Sequence, residues 1–133
     1  MVPEGMVHAL HAARRALRPG GLLIDLRPDR HRAPRVAVAG RVAGELIPGS
    51  TAMDEAADTA AEALVAEGAL RPIERGHLWY RHTFRDRREL DEYIASAARV
   101  VGYGRAVAAR LAASRGPVVM RRSLAFAIYE RRV

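Results

Sequence analysis

The feature that most constrains this chain is the break Arg18-Pro19-Gly20-Gly21, which separates a helical pattern from a short apolar run, Leu22-Leu23-Ile24-Asp25-Leu26. Upstream, Met6, Leu10, Ala13 and Leu17 recur at helical spacing and predict a helix over 4–17 with one apolar face. Arg14, Arg15 and Arg18 gather at its C-terminal end, where cations complement the helix dipole. Proline cannot continue that helix, and glycine accepts the backbone angles of a tight exit. The run that follows is too short for another helix. It reads as a strand over 22–26, covered on both faces because apolar side chains occupy both parities.

Further breaks divide the rest. Val36-Ala37-Val38 and residues 42–47 flank Gly40-Arg41 and predict a β-hairpin. Ser50 or Thr51 can cap a second helix that ends at Gly68. Met53, Ala57, Ala60 and Leu64 share one face of it; Asp54, Asp58 and Glu62 form an acidic stripe on another. Residues 72–85 alternate as a strand, with Leu78, Tyr80, His82 and Phe84 on one side and His77, Trp79 and Arg81 on the other. Asp86 and Glu89 match a capping box opening a third helix, whose buried face is Leu90, Ile94, Ala97 and Val101. The glycines of Gly102-Tyr103-Gly104 break it before a fourth helix carrying Val107, Ala108 and Leu111. A last strand, almost continuously apolar over 124–129, belongs in the middle of a sheet. The order α, β, ββ, α, β, αα, β predicts a single α/β domain over 1–133 with a mixed sheet.

Composition excludes several functions. The chain has 133 residues and no cysteine, so disulfides, thiolate metal sites and cysteine nucleophiles are absent. No apolar run is long enough for a membrane helix, and the first ten residues lack the basic cluster of a signal peptide, so a cytoplasmic location is expected. The net charge is +7, which favours anionic partners in general. All 22 basic residues are arginine, however, and Lys, Asn and Gln are missing, a pattern of GC-rich coding rather than of nucleic-acid recognition. Nucleic acid is therefore not the expected partner.

There is no glycine-rich phosphate loop and no G-x-S-x-G nucleophile elbow. His8 and His11 share a helix face without a third ligand, and His77 and His82 have opposite strand parity, so no metal site is expected. His31 lies in an arginine-rich loop where it could meet a phosphate, though simple solvation suffices. Five residues remain as candidates for a substrate pocket: Asp25, His77, Trp79, Tyr80 and His82. Asp25 is an acid within an apolar strand and needs a partner, for which Arg27 on the same face qualifies. Ligands of open α/β sheets collect at such strand ends. The aromatic and imidazole groups at 77–82 can line a pocket, although a Trp at this spacing more often packs under a helix.

The segment "HAARRALRPGGLLIDLRPD" resembles the part of class I S-adenosylmethionine-dependent methyltransferases in which a helix ends in an R-x-L-[RK]-P-G-G turn and feeds the fifth strand. "MVPEGMVHAL" resembles the lead-in to that helix, and the later order of elements is similar to the family's sixth and seventh strands. The resemblance implies a partial Rossmann-like methyltransferase fold: a C-terminal portion with an antiparallel final strand, in which the hairpin at 36–47 is an insertion. It implies methyl transfer to an unidentified small molecule in the complete family. The family's cofactor loop and ribose-binding acid have no counterpart here, so no cofactor-binding or catalytic residue carries over. The chain alone is expected to be inactive and to bind no S-adenosylmethionine. The family's fourth strand is also missing, which leaves 22–26 an open edge for a homodimer or a separate chain. The alternatives are a non-enzymatic interaction domain and, further down, an Arg-rich nucleic-acid binder.

Overall fold

The computed structural model describes residues 3–96 and 99–132. They form four helices and seven strands: α1 (Pro3–Ala16), β1 (Leu22–Pro28), β2 (Arg35–Val38), β3 (Arg41–Glu45), β4 (Ile47–Pro48), α2 (Ala52–Ala66), β5 (Leu70–Phe84), α3 (Arg87–Ala95), β6 (Val100–Gly102), α4 (Arg105–Ala112) and β7 (Val118–Arg131). The chain is thus α/β, with mostly antiparallel sheets. It forms two compact units: residues 1–27, 51–78 and 125–133, and residues 28–50 and 79–124. No described helix is long and apolar enough to cross a membrane.

In the first unit the latter part of β7 pairs with both β1 and β5. Gly20 N–H donates to the carbonyl of Arg131 and Arg131 N–H to that of Gly21, each at 2.8 Å. Arg132 N–H donates to the carbonyl of Ala69 at 3.0 Å, and Arg71 meets Glu130 two positions further along each strand. Both neighbours therefore run against β7. Ala61, Leu64, Leu70 and Tyr129 form the core here, with Leu10 and Leu23 packed against it. Gly76 leaves room for the ring of Phe126, which would stand 2.8 Å from a Cβ at that position.

The expectation that strand 22–26 is covered on both faces is corrected. Leu22, Ile24 and Leu26 are 55%, 64% and 51% exposed, while Leu23 packs into the core. Ala61 and Leu64 of α2 share that core and Leu10 of α1 packs against it, so both helices lie on the Leu23 side of β1. The apolar face of α2 also differs from the expected one. Its buried residues are Asp54, Ala57, Ala61 and Leu64, so the acidic stripe turns partly inward. Thr51 is the N-cap, but its hydroxyl donates to Glu55 at 3.0 Å rather than accepting a backbone N–H.

In the second unit β7 pairs antiparallel with β2, and β2 with β3. The hairpin turn falls one residue earlier than expected, on Ala39 and Gly40, both with positive φ (51° and 74°), because Val38 pairs with Arg41. Two positive φ angles give the turn a twist that matches right-handed strands. Ile47 belongs to β4, which pairs with β6, rather than to the hairpin. Val36, Val38, Leu46, Phe84, Leu90, Leu111, Val118 and Met120 fill the core.

The capping box holds in part. The Asp86 carboxylate accepts from Glu89 N–H at 3.0 Å, while the Glu89 carboxylate turns back to Arg85 N–H. The third helix ends at Ala95, not beyond 101. Val101 lies in β6 and is 68% exposed, and Ala97 lies outside the described residues. The glycine break thus closes a strand, with Gly102 at φ 146°, rather than a helix.

Candidate functional site

The structure divides the five sequence candidates. Asp25 and His77 lie in the first unit, and Trp79, Tyr80 and His82 in the second. Each group is described within its own unit.

Asp25 and Arg27 do share a face of β1, as strand parity predicts. The guanidinium grips the carboxylate with two bonds, Nε to Oδ1 at 2.9 Å and Nη2 to Oδ2 at 3.0 Å. It also reaches α2: Nη1 donates to the Asp54 carbonyl at 2.9 Å and lies 3.4 Å from the Asp54 carboxylate, and Nη2 meets Asp58 at 2.5 Å. One cation thus serves three carboxylates. Burial alone would lower the Arg27 pKa, but the hydrogen bonds and charges of Asp25 and Asp58 outweigh it and raise it. The cluster is a clamp of β1 on α2, because one guanidinium bonds carboxylates on both elements. His77 is exposed on β5 and engaged in an interaction of its own.

In the second unit the strand alternation of β5 holds. Tyr80 and His82 turn toward the core aromatics: the His82 ring stacks on Phe84 at 4.2 Å and meets the edge of Tyr93 at 5.2 Å. Burial raises the Tyr80 pKa, followed by its hydrogen bond to Tyr93, whereas Arg122 acts in the opposite direction. Arg122 is buried and donates to the Tyr93 hydroxyl at 3.3 Å. These groups form a packed polar cluster.

Trp79 is different. It is 54% exposed, so packing under a helix is corrected to an open position. The guanidinium carbons of Arg121 and Arg32 lie 5.7 and 5.9 Å from its ring centroid, within range of cation–π attraction. The ring borders an open groove of about 840 Å³ lined also by Arg30, Arg32, Arg35, Glu45 and Arg121. Asp29 builds the loop on this rim. Its buried carboxylate accepts His31 N–H at 3.0 Å and the Ser123 hydroxyl at 3.2 Å, and lies 3.6 Å from Arg32. Sequence reasoning did not single out Arg32, Arg35, Arg121 or Asp29. In an arginine-rich chain no single arginine stands out, and only strand register places 35 beside 121.

Among the described residues no group of three or more His, Asp or Glu side chains can hold a metal ion. No protein-family model, curated protein or solved structure matches this chain.

Proposed function

We propose that this chain is the C-terminal half of a methyltransferase-like Rossmann fold, working with a cofactor-binding half contributed by another segment or another chain. The complete assembly would transfer a methyl group from S-adenosylmethionine to a small molecule. The observation that carries the reading is the position of β7 between β1 and β5, antiparallel to both. An antiparallel final strand is what the resemblance implies. The same reading accounts for the uncovered face of β1, where Leu22, Ile24 and Leu26 remain more than half exposed. At roughly 25 cal/mol per Å² of apolar surface, covering such a face is worth several kcal/mol to an assembly.

A second reading is a homodimer through the same strand, favoured by β1 standing at the end of the sheet order. Light scattering and calorimetric titration test both. The chain alone should give no micromolar affinity for S-adenosylmethionine. If it dimerises, Ile24→Lys should dissociate the dimer and leave a folded monomer, because Ile24 is exposed in the single chain. Micromolar cofactor binding by this chain alone would overturn the half-fold reading. A monomer at micromolar concentration would remove the homodimer.

A further inference from the structure

The groove beside Trp79 has no role in the half-fold reading, and it stands on the second unit alone. Register sets its character: β2 and β7 pair so that Arg35 lies directly opposite Arg121. Like charges directly opposite one another destabilise a sheet. Glu45, the cross-strand partner of Arg35 on β3, offsets one of the two at 3.6 Å, and both side chains of that pair are largely exposed. Arg121 turns instead to the Trp79 ring, and the loop built on Asp29 brings Arg32 to the same ring. The lining of the groove thus holds four arginines and one carboxylate around an exposed indole.

We propose that this groove binds a small phosphate ester carried on a planar ring, of the mononucleotide class. The phosphate lies between Arg35 and Arg121, and the ring lies against Trp79. A dianion there removes the repulsion between the facing guanidiniums. A tetrahedral phosphate accepts from several guanidinium forks at once, more donors than a carboxylate can use. An exposed indole is a stacking platform for any planar ring. The volume of about 840 Å³ lies within the usual range of small-molecule sites, about 300–1,000 Å³.

Trp79 is the only tryptophan in the chain, so intrinsic fluorescence reports on this groove directly. The full chain is titrated at low salt with 5′-AMP, adenosine, inorganic phosphate and a 20-nucleotide single strand. Saturable quenching by 5′-AMP is expected, at least tenfold tighter than by adenosine or phosphate and weakened by added salt. Arg121→Gln should bind 5′-AMP at least tenfold more weakly. Arg35→Gln, whose side chain is largely exposed, should do the same and covers the case in which the first variant fails to fold. No saturable response to millimolar 5′-AMP overturns the proposal. So does equal affinity for adenosine, unchanged affinity in either folded variant, or binding of the oligonucleotide alone. None of these outcomes touches the half-fold reading, which rests on strand order in the first unit.

Discussion

Replacing Arg27 by Met is the sharpest test of how the first unit is held together. The variant keeps most of the apolar stem and removes the guanidinium. The Asp54 and Asp25 side chains, only 9% and 18% exposed, then lose their bonds to Arg27, whereas Asp58 is 40% exposed and stays within reach of water. Stripping one partner from a fully buried ion pair costs about 3–5 kcal/mol, and from an exposed pair about 0–1 kcal/mol. Two largely buried carboxylates and one wet one place the loss near 3 kcal/mol. For a chain of this size that corresponds to a fall of roughly 10 °C in Tm. Urea unfolding followed by circular dichroism measures it. Adding Asp25→Asn and Asp54→Asn to Arg27→Met should restore at least half of the loss, because the buried charges that Arg27 balanced are then gone. Arg27→Lys should fall between wild type and Met, since an ammonium cannot make the forked contact with Asp25. A loss below about 0.5 kcal/mol for Arg27→Met, or a triple variant weaker than the single one, would refute the clamp.

Three further outcomes are expected. Gly44→Ala should cost about 2–3 kcal/mol, since Gly44 has φ 139° and its Cβ would stand 2.7 Å from Val107 Cγ2; combining it with Val107→Ala should cost less than the sum of the two in chemical denaturation. Ser123→Ala should cost about 1–2 kcal/mol in the same assay, because the buried Asp29 carboxylate loses a donor; a neutral result would show that Asp29 does not depend on it. Stability should also fall at alkaline pH. Burial raises the Tyr103 pKa, followed by its hydrogen bond to Asp91, and burial likewise raises that of Tyr80. An unfolded tyrosine loses its proton near pH 10. Above that pH the unfolded chain binds fewer protons than the folded one, so stability declines until the folded groups also ionise. The urea midpoint should be lower at pH 11 than at pH 9, with a smaller drop in Tyr103→Phe; an equal drop would count against Tyr103 as a source.

Local chemistry was legible wherever the interaction partners lie within a few residues. Pro19-Gly20-Gly21 ends one helix and delivers a strand, and Asp86 caps the third helix through Glu89 N–H. The alternation of Tyr80 and His82 against Trp79 followed from strand parity, as did the pairing of Asp25 with Arg27. The misreadings share a cause. Val101 fits a helical period, yet three residues of strand form there because β4 offers backbone partners. Apolar residues on both parities of β1 suggested double coverage, but parity states which way a side chain points and not whether anything covers it.

What the sequence by itself determined is therefore most of the run of helices, strands and turns, the β4–β6 pair excepted. Each depends on backbone angles and on side chains a few positions apart. What only the tertiary structure decided is which distant residues share a face. The two aspartates that face Arg27 from α2 lie 27 and 31 residues further along the chain. Arg35 meets Arg121 because β2 adds to β7 in one register rather than another. A one-residue slip would send those arginines to the opposite face of the sheet. Register is set by the burial of Val36, Val38, Val118 and Met120 on the other side, so the apolar core decides where the charges of the groove stand.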